Sequence, residues 1–111
     1  MYITELVTNA QYEYIDCNNN QLKELHLPDS CKGVDCFLNQ LEQLIIPEGC
    51  TYINCHENKL KELIIPEGCK IGYCDTNQIK QLIIPDGCEY VWADMKSVTE
   101  LNKVYKLRLT I

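Results

Sequence analysis

The sequence predicts a β-rich solenoid of about five 19-residue rungs, built on short strands and containing no long helices. Three periodic series of residues carry that prediction. Cysteines recur as Cys17, Cys36, Cys55 and Cys74, and again as Cys31, Cys50, Cys69 and Cys88. Prolines recur at Pro28, Pro47, Pro66 and Pro85, and asparagines at Asn20, Asn39, Asn58 and Asn77. A fixed period near 20 residues marks a chain whose units stack only on their neighbours. Such a chain works through the surface it repeats.

Residues 1–11 read as an N-terminal half-repeat cap, because Ile3 and Leu6 fall one period before Leu22 and Leu25. Residues 12–98 hold the repeats, and the copy from Cys50 to Gly68 shows their plan. One apolar pulse is Cys50, Ile53 and Cys55; a second is Leu60, Leu63 and Ile65. Ile53 and Cys55 stand two apart, the spacing of one face of a strand. Asn58 separates the pulses and marks a turn. Pro66-Glu67-Gly68 follows as a corner, with Pro expected at i+1 and Gly at i+3 of a type I turn. Nineteen residues leave little room for a helix of ordinary length beside these parts. Each rung is therefore a short strand, a turn at the Asn, an extended return segment and a Pro-Glu-Gly corner. Residues 99–111 read as a C-terminal cap strand, from the pattern Val104-x-x-Leu107-x-Leu109. Lys96 replaces the Asn there, and atypical end repeats are what a solenoid needs to close its core.

The frame Cys50-x-x-Ile53-x-Cys55-x-x-Asn58-x-Leu60 resembles the leucine-rich repeat family, whose pattern is L-x-x-L-x-L-x-x-N-x-L. Cys stands in two of the usual Leu positions, as a variant of the short bacterial or viral 19-residue type. The same frame fits Tyr12, Ile15, Cys17, Asn20, Leu22; then Cys31, Val34, Cys36, Asn39, Leu41; then Cys69, Gly72, Cys74, Asn77, Ile79. The fifth copy, Cys88, Val91, Ala93, Lys96, Val98, departs at its end. The resemblance implies a right-handed superhelix with short parallel strands and a protein-binding role. The segment Leu63-x-Ile65-Pro66 also resembles a second strand-like pattern that ends in an Ile-Pro step. Where both halves of a rung are strands, the solenoid is flattened between two sheets; where only one is, it curves as a horseshoe.

At 111 residues the chain is expected to form one domain, residues 1–111. Its net charge is −6, unevenly spread: residues 1–95 carry 6 basic and 15 acidic side chains, and residues 96–111 carry 4 basic and 1 acidic. An acidic body argues against direct nucleic-acid binding and against anionic membranes. No apolar run approaches the ~20 residues of a membrane span. Met1 to Ala10 lack the basic and apolar regions of a signal peptide. Abundant Cys without a signal fits a reducing, cytoplasmic setting.

Residues between the apolar positions of the first strand should face solvent. One column is Tyr14, Gly33, Tyr52, Ile71, Tyr90 and Lys106; the next is Asp16, Asp35, Asn54, Tyr73, Trp92 and Arg108. A third, just beyond the strand, is Asn18, Phe37, His56, Asp75 and Asp94. Six of the nine aromatic residues fall on this face. Exposed Tyr and Trp are enriched at the energetic centres of interfaces, although stacked aromatics also stabilise a ladder by themselves. The candidate partner-binding residues are Tyr14, Asp16, Asp35, Phe37, Tyr52, His56, Tyr73, Tyr90 and Trp92. A protein partner with an apolar anchor and a basic flank would suit them. The strand face measures about 25 by 17 Å, about half of the ~800 Å² per partner of a stable interface, so adjoining loops would have to contribute. On the return segment, Ile45, Ile64 and Ile83 alternate with inward residues and should form an outward apolar column, a candidate for self-association as a homodimer.

The cysteines occupy apolar slots of the repeat, so they read as core residues that pack as small hydrophobes. Their Cys-x4-Cys spacing differs from the tighter knuckles of zinc sites. His26 and His56 fall in different columns. No metal or cofactor is expected. No phosphate-binding Gly loop, nucleophile triad or His-Glu-x-x-His helix is present, so the chain is not expected to be an enzyme. Three functions follow as expectations: a protein-binding module, an acidic inhibitor that occludes a basic nucleic-acid-binding surface, and a self-assembling structural protein.

Overall fold

The structure, a computed structural model, describes residues 5–7, 12–94 and 96–101. The expected β-solenoid is what forms. Its strands are β1 (Glu5–Val7), β2 (Tyr14–Asp16), β3 (Glu24–His26), β4 (Gly33–Asp35), β5 (Tyr52–Asn54), β6 (Glu62–Ile64), β7 (Ile71–Tyr73), β8 (Gln81–Ile83), β9 (Tyr90–Trp92) and β10 (Glu100–Leu101). All pairings are parallel, and the described residues contain no helix. The front sheet runs β2-β4-β5-β7-β9; the return side holds β1-β3 and β10-β8-β6. Both halves of most rungs are thus strands, which resolves the flattened two-sheet alternative in its favour.

Register follows the sequence period without a slip. Ile15 pairs Val34, Val34 pairs Ile53, Ile53 pairs Gly72 and Gly72 pairs Val91. Leu6 pairs Leu25 on the return side, so the N-terminal half-repeat is in phase. Ile3 lies outside the described residues, as do Val104, Lys106, Leu107, Arg108 and Leu109 of the expected C-terminal cap.

The core is a stack of identical columns. Leu22, Leu41 and Leu60 are fully buried, with Ile79 beneath them; Leu25, Leu44, Leu63 and Leu82 form a parallel column. Fully burying one such side chain contributes about 1.5–3 kcal/mol. Gly72 interrupts the column of β-branched residues, and the Cδ1 of Ile65 approaches within 3.5 Å of where its β-carbon would be.

All eight cysteines are buried with free thiols. Those of one series donate weakly to the carbonyl two residues ahead: Cys31 Sγ to Gly33 O at 3.3 Å, Cys50 to Tyr52 O at 3.4 Å and Cys69 to Ile71 O at 3.4 Å. Burial pushes the Cys17 thiol up to about 11 and the Cys50 and Cys74 thiols up to about 12. The hydrogen bond with Cys88, and then burial, raises Cys69.

The asparagine ladder knits rung to rung. Asn58 Nδ2 donates to Cys55 O in its own rung and to Cys36 O in the preceding one, both at 3.0 Å, while Oδ1 accepts from Leu41 N at 2.9 Å. Asn39 and Asn77 repeat the pattern. Buried backbone groups must be paired, and at each turn the amide does this. The residue before each Asn has positive φ: Asn19 58°, Leu38 58°, Glu57 55° and Thr76 53°. Where Lys96 replaces the Asn, Ser97 Oγ lies 2.9 Å from both Asp94 O in its own rung and Ile79 O in the preceding one, a different link between the two rungs from the one the Asn makes.

Three local expectations are corrected. The corner turn closes from Cys50 N to Pro47 O and from Cys69 N to Pro66 O, so Pro is residue i and Gly is i+2, rather than i+1 and i+3. Gly49 and Gly68 have φ of 91° and 88°, which position i+2 of a type II turn requires and which Gly adopts at no steric cost. Tyr12, placed by the repeat frame in an inward slot, is 57% exposed. The third difference is on the return side. Residues 42–46 form no strand, and their backbone makes no hydrogen bond to either neighbouring rung. Leu44 and Ile46 nevertheless stay buried.

Candidate functional site

The front sheet presents three in-register columns, as the two-residue period requires. Asp16, Asp35, Asn54, Tyr73 and Trp92 pair in sequence along the middle one. The rings form a continuous chain across the sheet. Centroids are 6.4 Å apart for Tyr14–Tyr52, 6.2 Å for Tyr52–Tyr73, 5.8 Å for Tyr73–Tyr90 and 6.1 Å for Tyr90–Trp92. Phe37 and His56 stack beside this chain at 4.8 Å with 11° between planes.

This contact hides part of the surface. Tyr14, Tyr90 and Trp92 remain exposed, but Phe37, Tyr52, His56 and Tyr73 are half-buried against one another. Gly33 is buried although its slot faces outward, because the Tyr14 ring covers it. Ile71 is half-buried too.

The acidic end of the face is internally engaged. Tyr14 Oη donates to Asp35 Oδ2 at 2.5 Å, and Tyr52 Oη donates to Asp35 Oδ1 at 3.3 Å. The hydrogen bond to Asp35 raises the Tyr14 phenol well above its ordinary range. Asp16 accepts from the Asn18 side chain. None of Asp16, Asp35, Asp75 and Asp94 pairs with a Lys, Arg or His among the described residues; the ion pairs lie elsewhere, at His26–Glu24, Lys32–Glu13 and His56–Glu57.

A shallow pocket of about 400 Å³ opens at the other end, lined by Asn54, His56, Tyr73, Asp75, Tyr90 and Trp92. Four of these, His56, Tyr73, Tyr90 and Trp92, are candidates read from the sequence. Asn54 and Asp75 were not, although both belong to the same columns. Their signal is their register: Asn54 neighbours Tyr73 one rung away, and Asp75 follows His56 in its column. Asn54 Oδ1 is buried and has no hydrogen-bond partner.

The return side carries the expected isoleucine column. Ile45 is 83% exposed, Ile64 64% and Ile83 36%. The unpaired segment 42–46 leaves open grooves on both sides. One, of about 690 Å³, is lined by Leu25, His26, Gln43 and Ile45 among others; the second, of about 390 Å³, by Ile45, Ile64 and Pro66 among others.

Among the described residues no group of three His, Cys, Asp or Glu side chains converges as a metal site would, and no helix is long and apolar enough to cross a membrane. No family model, no curated protein and no solved structure matches this chain.

Proposed function

We propose that this chain is a non-enzymatic protein-binding module of the leucine-rich-repeat kind, acting in the cytoplasm through its front sheet. One observation carries the reading: five rings in successive stacked and tilted contact run the length of a sheet whose outward columns hold no Lys or Arg among the described residues. Rings that merely stabilised a ladder would pair within it. Here Tyr90 and Trp92 stack on each other and still leave about two-fifths of their surface in water, 42% in each case. Exposed, pre-ordered aromatics cost little entropy on binding and supply most of the energy of many interfaces. The eight free thiols in the core support a reducing compartment.

The test is capture of a partner from lysate by the wild-type chain beside a Tyr73→Ala/Trp92→Ala variant, with circular dichroism to confirm folding. Loss of the partner only in the variant places binding on this face. Retention by both removes the face from consideration.

The exposure of Ile45 and Ile64 favours a second surface, used for self-association. Concentration-dependent mass in light scattering, abolished by Ile45→Lys, is the expected result.

A further inference from the structure

We infer that the pocket between Tyr73, Tyr90 and Trp92 receives an arginine side chain of the protein partner; this rests on the front-sheet reading above and names the chemistry of its anchor. Three observations converge. First, the rings offer faces at an angle. Tyr90 and Trp92 are nearly parallel, at 18°, and Tyr73 is tilted 57° to Tyr90. A cation over such faces is attracted by the ring quadrupoles, and a planar guanidinium also stacks on them.

Second, the site is negative, and among the described residues no Lys, Arg or His pairs with its carboxylates. Asp75 lines the pocket, and its one side-chain partner is the Thr76 hydroxyl at 3.4 Å. Asp94 follows it in the same column one rung on, also without a cation. A carboxylate beside ring faces selects a cation over a neutral apolar group.

Third, Asn54 belongs to the pocket wall, and its buried Oδ1 has no partner; turning the amide about its soft terminal torsion exchanges oxygen and nitrogen and gives up the bond with the Tyr52 phenol. Guanidinium carries five N–H donors and can address the amide and the carboxylate together. A quaternary ammonium has none. The pocket is also open and shallow, which suits a plane laid on a ring better than a sphere held in a box.

Trp92 is the single tryptophan of the chain, so its indole reports directly on the pocket. The experiment titrates the wild-type protein at pH 8 with N-acetyl-arginine methylamide, following indole fluorescence and the indole N–H resonance. The citrulline analogue, planar and neutral, and the trimethyllysine analogue, cationic but without N–H groups on its head, are the controls. The expected result is saturable arginine binding in the millimolar range. The citrulline analogue should bind at least about tenfold more weakly, and so should arginine to the Asp75→Asn variant, because one unit of charge attraction is being removed. Tyr73→Leu, which keeps the reporter, should abolish saturation while circular dichroism stays unchanged. Citrulline binding as well as arginine, trimethyllysine binding as well or better, or no saturable arginine binding each overturns the inference. If arginine fails while Tyr73→Ala/Trp92→Ala still loses the partner, the front-sheet reading stands and only the arginine falls. If arginine binds but the partner survives the double substitution, the partner's arginine is not what the pocket holds, and the inference falls with the front-sheet reading.

Discussion

The ring of Tyr14 lies across the backbone of Gly33, so closely that a β-carbon at residue 33 would stand 2.9 Å from Tyr14 Cδ2. That gap in the column lets Tyr14 lean over the next rung and meet Tyr52. It also brings the Tyr14 hydroxyl to Asp35, one rung away in the neighbouring column. A glycine weakens a strand by itself; here the loss is offset by a ring stack and a charge-assisted hydrogen bond.

Gly33→Ala should therefore destabilise the protein, although alanine suits a strand better than glycine. The ring must move and the bond to Asp35 is weakened, a net loss of about 1 kcal/mol. Thermal unfolding should drop by roughly 4 °C. Combining Gly33→Ala with Tyr14→Phe should be clearly less than additive, because both remove the same bond. Full additivity would show that the glycine serves something other than the tyrosine.

The same bond sets a pH dependence. The Tyr14 phenol titrates above its ordinary value of 10.0, because it donates to the Asp35 carboxylate. A group whose folded pKa is raised contributes stability below the unfolded pKa and loses it as pH rises toward the folded one. Stability from this pair should be complete below pH 10 and fall above it. Ultraviolet titration of tyrosinate should show two late phenols in the wild type, Tyr14 and Tyr52, the second raised by burial and by Asp35. The Tyr14 phenol should move back toward the ordinary range in Asp35→Asn.

Asn58 is 8% exposed and serves two rungs at once. Asn58→Leu leaves Leu41 N unpaired in the interior, while Cys36 O and Cys55 O each lose one of two amide donors and keep the other, from Asn39 and Asn77. An orphaned buried group costs about 1–3 kcal/mol, so the loss should be about 1–3 kcal/mol. Asn20→Leu, at the half-buried first turn, should cost less. Urea denaturation of the two variants measures the difference.

Much of this was legible in the sequence for one reason: a strict period converts a one-dimensional count into a three-dimensional stack. Once Cys17, Cys36, Cys55 and Cys74 share a column, so does every residue at the same offset. Ile45 could thus be read as outward and Leu44 as inward. Features that depend on contact between rungs were not legible. Nothing in the pattern says that Tyr14 crosses Gly33, or that Asp35 is claimed by two phenols. Residues 42–46 keep the apolar spacing of Leu63 and Ile65, yet only the latter rung forms a strand. Ser97 links its rung to the preceding one through Ile79 O, one position after the missing Asn and by a different bond, which a search at fixed offset passes over.

The cysteine columns bear on reactivity. Thiolate is the reactive form, and burial raises Cys17 to about 11 and Cys74 to about 12 from an ordinary 9.0. Cys88 is the exception, because the hydrogen bond from the Cys69 thiol lowers it to about 7. Iodoacetamide at pH 8 should label the other seven thiols of the folded protein slowly, and all eight rapidly once it unfolds in urea. Mass spectrometry counts the adducts. Prompt labelling of Cys55, which is fully buried, would mean that the stack opens near its middle.

The return side should open there first. The amides of Gln43, Leu44 and Ile45 make no hydrogen bond to a neighbouring rung, whereas β6 pairs with β8 in full register. Amide exchange follows local opening, and unbonded exposed backbone exchanges with almost no protection. Residues 43–45 should exchange far faster than Ile65, whose amide donates to Ile83 O at 2.9 Å, although Leu44 is as deeply packed as its counterparts to within a few percent, at 7% against 2% for Leu63. Equal protection would mean that the return sheet is continuous in solution. In that case the grooves beside Ile45 would close and the surface proposed for self-association would lose its open edge. If the difference appears and disappears again at high protein concentration, the unpaired segment is the edge on which two copies meet.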